Sequence, residues 1–275
     1  SSGTFDHTSL IRFMEARFGV DEPNNTPWRR AICGDLTSAF DFESASDSVP
    51  TLPNVDSYKP TGTASASYHP TPPPVGSVPV QEPGVRPSRR LGYRFRVDFE
   101  ADSKNLNLAV NNRGRLGVHL QARSLTIPGA PFSYTIGAGD KLSVALANPG
   151  TYDLSVHGPN GFFRRFVGSP ATTLQVNAHA DEDTGTLRLR VANSGDRPGR
   201  RHHRPLVVVN VADAYGKNRR IQLDPSGEIT VLTRHSGGWY DIALTTPDDT
   251  SFSYQLAGRL ESRARLTSDP QLGPS

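Results

Sequence analysis

The 275-residue chain carries 30 Lys and Arg against 27 Asp and Glu, a formal net charge of +3, with 35% hydrophobic residues and a mean hydropathy of −0.48. That apolar share, with 12 Phe, 8 Tyr and 2 Trp, excludes a wholly disordered chain, and no run approaches the roughly 18–20 apolar residues of a membrane helix. The single Cys33 excludes an internal disulfide and leaves the redox compartment open, while the length fits two or three small domains better than one.

The chain starts Ser1-Ser2-Gly3 and its one methionine is Met14, so it is expected to be a processed or truncated piece of a longer protein. Residues 9–18 place Leu10, Ile11, Phe13, Met14 and Phe18 in a helical stripe, with Thr8 or Ser9 as the cap and Gly19 as the stop. A second short helix is expected after Thr26, with Pro27 at its first position, Trp28, Ala31 and Ile32 facing inward and Gly34 ending it. Two short helices cannot bury Phe13, Phe18 and Trp28 alone, so these rings are expected to pack on a larger body.

From Ser48 to Ser88 the composition shifts: ten of the 23 prolines fall here, including Pro72-Pro73-Pro74. Without apolar periodicity such a stretch favours extended conformations and reads as a linker or strap over residues 48–90. After Arg90 the period becomes two. Tyr93, Phe95, Val97 and Phe99 alternate with charged residues, and Leu106, Leu108 and Val110 follow the same rule. Strands are expected at 118–122, 132–136, 142–146, 152–156 and 162–167, separated by Gly, Pro, Asn and Asp turns.

The pattern then repeats. Leu187-Arg-Leu189-Arg-Val191 answers Leu106-Asn-Leu108-Ala-Val110; Gly238-Trp239-Tyr240-Asp241-Ile242 answers Gly150-Thr151-Tyr152-Asp153-Leu154; and Gly258 answers Gly168. The fold class is therefore mainly β, with two tandem antiparallel β-sandwich modules at residues 91–170 and 172–263 and a tail at 264–275.

Few residues point to chemistry. Asp6 and His7 sit where the first helix begins, a place where amides attract anions and an Asp-His pair can move protons or ligate metal, although an Asp there is more often a cap. Arg197, Arg200, Arg201, His202, His203 and Arg204 form a basic loop of the second module, either merely solvated or attracted to anionic lipid or polymer. The two His lack acidic or Cys companions for a metal, and no nucleic-acid recognition motif is present. Phe162, Phe163 and Phe166 cannot all face one side of a strand, which makes Phe163 a candidate inter-module or lipid-facing contact. Asp153 and Asp241, repeated after Tyr152 and Tyr240, are expected to hold a turn by hydrogen bonding. No serine-hydrolase elbow, phosphate-binding loop or zinc-hydrolase helix occurs.

The stretch Phe5-Asp6-His7-Thr8-Ser9-Leu10-Ile11-Arg12-Phe13-Met14-Glu15-Ala16-Arg17-Phe18-Gly19, with Asn24-Asn25-Thr26-Pro27-Trp28-Arg29-Arg30-Ala31-Ile32-Cys33-Gly34-Asp35, resembles the end of the catalytic domain of bacterial phosphocholine-preferring phospholipase C. The paired modules, with Tyr152-Asp153-Leu154-Ser155-Val156-His157-Gly158-Pro159-Asn160-Gly161-Phe162-Phe163-Arg164, resemble the duplicated C-terminal domain of the same enzymes. The resemblance implies a secreted or periplasmic phosphodiesterase cleaving phosphatidylcholine or sphingomyelin to diacylglycerol or ceramide plus phosphocholine. Residues 1–47 would then be the helical C-terminal remnant of an α/β alkaline-phosphatase-like catalytic domain. Its nucleophile and the ligands of any divalent metal would lie mostly upstream, with Asp6 and His7 the only contributors present and no cofactor for this chain alone. The implied partners are the upstream catalytic segment and a phospholipid surface, approached through Arg200, Arg201, Arg204 and Phe163, and the chain alone would be inactive. The alternatives are a non-catalytic module binding lipid or anionic polymer, and part of a related acid phosphatase.

Overall fold

The computed structural model describes residues 3–44, 47–49, 51–52, 54, 56, 83–193, 206–224, 226–263 and 265–272. Most of the 48–90 linker and the whole 197–204 basic cluster therefore lie outside the described residues.

Two helices open the chain, α1 (Thr8–Phe18) and α2 (Pro27–Ile32). Gly19 ends α1 in the left-handed conformation with φ 69°, and the Thr26 hydroxyl accepts from the Arg29 amide ahead of Pro27. The start of α1 differs from expectation. His7 occupies the cap position without a side-chain bond, and Thr8 and Ser9 lie inside the helix because the Asp6 carboxylate takes the Thr8 amide.

The first module runs through β2 (Phe95–Ala101), β3 (Asn105–Asn112), β4 (Val118–Ser124), β5 (Phe132–Ile136), β6 (Lys141–Ala147), β7 (Tyr152–His157) and β8 (Phe163–Gly168), after a two-residue β1 (Pro87–Ser88). The second repeats this order with β9 (Leu174–Asp181), β10 (Thr186–Asn193), β11 (Val207–Asp213), β12 (Arg219–Leu223), β13 (Ser226–Leu232), β14 (Trp239–Thr246) and β15 (Asp249–Arg259), and a short β16 (Leu266–Thr267) pairs back onto β1. Each module sets a three-stranded sheet, β2-β3-β6 or β9-β10-β13, against a larger one. Alternation produces this directly: β3 reads Leu106, Leu108, Val110 inward, and β10 reads Leu187, Leu189, Val191 inward.

The larger sheets are not separate. β8 pairs antiparallel with β15, fusing them into one eight-stranded sheet in the order β12-β11-β14-β15-β8-β7-β4-β5. Tyr152 faces Gly168 in the first copy and Tyr240 faces Gly258 in the second, so Arg165 and Gln255 are equivalent positions. These two residues pair with each other, which puts a local twofold axis between them and makes the chain a dimer of modules within one polypeptide. The repeated glycines have a shared reason. A Cβ at Gly168 or Gly258 would run into the hydroxyl of the facing tyrosine, at 2.8 Å for Tyr240.

Beneath the joined strands a single buried cluster runs through both modules. Phe166 stacks on Phe99 at 4.2 Å and meets Tyr254 of the second module edge-on at 5.3 Å. Asp153 and Asp241 do not hold turns as expected. They reach across their strand pairs to the axis residues, Asp153 to Arg165 at 2.6 Å and Asp241 to Gln255 at 3.0 Å. Both aspartates lie within strands, where a side chain meets its cross-strand neighbours rather than its own turn.

The twofold axis makes the two ends of this seam equivalent, but their chemistry differs. At one end Arg259 and Glu261 form a buried ion pair at 2.9 Å, and Glu261 also accepts from the Asn160 side chain at 2.8 Å and the Leu91 amide at 2.5 Å. At the other end Thr172 donates to Asp249 at 2.7 Å and Ser251 to Ser169 at 2.9 Å.

Candidate functional site

The helical segment is an αα-unit clamped by charge. Arg30 holds Glu15 through two bonds of 2.8 and 2.7 Å, and Arg12 donates to the Arg30 carbonyl at 3.1 Å and to the Cys33 carbonyl. The unit is seated on the first module. Trp28 donates to Thr135 at 3.0 Å and sets its ring edge against His119, the Gly117 amide donates to the Ala31 carbonyl at 3.1 Å, and the Thr4 amide donates to the Tyr93 hydroxyl at 3.2 Å. Of the three residues expected to face inward, Ile32 is buried, Ala31 is exposed, and Trp28 remains 46% exposed because it lies along the sheet surface.

Asp6 sits at the junction of this clamp. One carboxylate oxygen accepts from the Thr8 amide at 2.8 Å and the Thr8 hydroxyl at 2.6 Å, and the other takes the Arg29 guanidinium. Hydrogen bonding from Thr8, reinforced by Arg29, holds the carboxyl below the usual range, which makes it a poor proton acceptor near neutrality. His7 is exposed and is not among the partners of that carboxylate. The geometry thus gives Asp6 a helix-starting and helix-joining role, and Arg29, which sequence reasoning passed over, is its partner. Among the described residues no group of three or more His, Cys, Asp and Glu side chains gathers to hold a metal. With both Asp6 oxygens committed, the Asp6-His7 pair does not fit a divalent ion. Cys33 is buried and burial pushes its thiol up, so it is a weak nucleophile.

Among the described residues nothing covers the opposite side of α1. Leu10, Met14 and Phe18, four residues apart, form one stripe with 61%, 49% and 62% exposure. Phe13 instead stacks on Phe40 at 5.0 Å, which stacks in turn on Phe42. The larger body expected beneath Phe18 is not among the described residues.

Of the candidate lipid-facing residues only Phe163 lies among the described residues. Arg200, Arg201 and Arg204 lie outside the described residues. Phe162 and Phe166 are buried, whereas Phe163 points to the other face of the eight-stranded sheet, half-buried against the His157 ring at 5.0 Å.

The family described as bacterial phospholipase C, C-terminal domain, matches this chain twice, over residues 87–169 and 170–259. The chain belongs to that family. Its bacterial phospholipase C relatives include the non-hemolytic phospholipase C of Burkholderia pseudomallei, 38% identical over 98% of this chain and 40% of the relative. The non-hemolytic and hemolytic phospholipases C of Pseudomonas aeruginosa are 36% and 34% identical, each over 99% of this chain and 41% and 42% of their own lengths. The chain therefore spans about two fifths of the length of these relatives. No helix among the described residues is long and apolar enough to cross a membrane.

Proposed function

We propose that this chain is the C-terminal part of a secreted phospholipase C that hydrolyses phosphatidylcholine or sphingomyelin to diacylglycerol or ceramide plus phosphocholine. In this reading residues 3–44 close the α/β catalytic fold and the paired β-modules hold that fold in place. The observation that carries it is the two-sidedness of the helical segment: one side is tied to the first module through Trp28, Ala31 and Thr4, and the other presents the bare stripe Leu10, Met14, Phe18. An amphipathic helix needs its apolar face buried, and the relatives contain a further three fifths of chain to supply the partner. The nucleophile, and any divalent metal with its ligands, belong in this reading to that remaining part.

The test is to follow phosphocholine release from phosphatidylcholine vesicles with this chain, with the separately expressed remainder of the enzyme, and with both. The expected result is turnover only when both are present; turnover by this chain alone, or by the remainder at its full rate, would overturn the supporting role. Guidance to lipid is a separable part of the proposal. Replacing Arg200, Arg201 and Arg204 by Ser is expected to weaken binding to anionic vesicles by about 1 kcal/mol per residue at low salt, and unchanged sedimentation with vesicles would remove it.

A further inference from the structure

We propose that the cleft between the two modules, at the charged end of the seam, binds a phosphate-type oxyanion held by the guanidinium of Arg164 with Arg259 and Asn160 beside it. The inference does not depend on the phospholipase reading. A cavity of about 60 Å³ lies there, walled by Phe162 and Tyr240, and it adjoins a groove of about 240 Å³ that shares Phe95 and Glu182 with it. At roughly 10–15 Å³ of such space per water, the inner space suits a group of a few heavy atoms.

Arg164 is only 6% exposed, and its partners are all neutral. Its Nη1 donates to the carbonyls of Phe163 at 2.7 Å and Ala257 at 3.0 Å, its Nη2 donates to the Tyr240 hydroxyl at 3.0 Å, and its Cζ lies 4.3 Å from the Phe162 ring centre. The nearby carboxylates are committed elsewhere, Glu261 to Arg259 and Asn160, and Glu182 to Arg94 at 2.8 Å. Arg164 is thus a buried cation with no carboxylate partner among the described residues, an arrangement that is costly unless an anion completes it.

Three buried polar atoms around this cavity also lack partners among the described residues: the Nε donors of Arg164 and Arg259, and the Oδ1 acceptor of Asn160. Together they describe a ligand that accepts two hydrogen bonds and donates one. A halide has no proton for Asn160, and water would satisfy the polar atoms but leave the charge unbalanced. A monohydrogen phosphate group, free or as one end of an ester, meets all three demands, and guanidinium forks are matched to it.

The experiment uses the full chain, with inorganic phosphate and phosphocholine as probes against sodium chloride at equal ionic strength. Thermal unfolding and ³¹P line width are read together. A saturable rise in melting temperature with phosphate, absent with chloride, is expected, and Arg164→Gln is expected to weaken binding about tenfold. Should that variant fail to fold, Arg164→Lys keeps the charge while removing Nε and is expected to show a similar loss. A response to both probes assigns the site to ester and free phosphate alike; a response to phosphate alone assigns it to the free ion; and a response to phosphocholine alone assigns it to the ester. No saturable response to either probe, an equal response to chloride, or unchanged affinity in the variants would overturn the proposal.

Discussion

The two ends of the inter-module seam occupy the same place in two copies of one design, and they are built from different chemistry. One end buries Arg259, Glu261 and Asn160 beside a cavity; the other closes with Thr172, Asp249, Ser251 and Ser169. Between them the backbone pairing and the Tyr-Gly contacts are kept in both copies. Duplication therefore preserved what sets the sheet and left its ends free to diverge, so an asymmetry between equivalent positions is a better pointer to a specific task here than a repeated residue.

The most disruptive way to break this comparison is to unbalance the charged end. Glu261→Ala leaves Arg259 buried without its carboxylate and is expected to remove about 3–5 kcal/mol of stability in urea unfolding, whereas Thr172→Val at the hydroxyl end is expected to remove about 1 kcal/mol. Equal losses would show that the ends are energetically alike. Gly258→Ala is next, at about 1–3 kcal/mol, since the added methyl meets the Tyr240 hydroxyl and φ stays at +154°. Removing that hydroxyl with Tyr240→Phe should restore part of the loss.

The pH dependence of the two ends has opposite sign. Burial raises Glu182 above its ordinary 4.5, so its share of stability is full below that value and is lost as pH rises through the folded pKa. Burial also pushes Asp249 up, but bonds from Ser251 and Thr172 outweigh it and leave the group below 3.8. Its stabilisation is present above 3.8 and is lost as pH falls through the folded value. Melting temperatures of Glu182→Gln and Asp249→Asn, measured between about pH 3 and 7, should approach the parent's at the acid end and diverge from it in opposite directions towards pH 7, Glu182→Gln lying above the parent and Asp249→Asn below it. The smallest effect belongs to the axis itself: Gln255→Arg would recreate beside Asp241 the pair that Arg165 makes with Asp153, worth about 0.2–1 kcal/mol and weakened by salt.

Much of this architecture was legible from residue order. Period-two runs placed the strands, and Tyr152 and Tyr240 with their facing glycines betrayed the duplication. The fusion of the larger sheets was not legible, because β8 and β15 carry no local mark of pairing with each other; edge-to-edge pairing is decided by where two modules come to rest. The pairing of Asp6 with Arg29 was not legible for a similar reason, since Arg29 lies a whole helix away in sequence. The bare stripe of α1 follows the expected spacing of Leu10, Met14 and Phe18, but the sequence of this piece alone holds nothing to show what covers it.

The pairing of β8 with β15 also has a consequence during synthesis. When the first module emerges from the ribosome, β8 is an open edge, and the strand that will close it lies roughly 90 residues further along. At about 5–20 residues per second that edge waits roughly 5–20 s, long enough to recruit the same strand from a neighbouring chain. A nascent or truncated product ending near Gly168 is thus the form of this protein most exposed to aggregation, and the second module acts as its built-in chaperone.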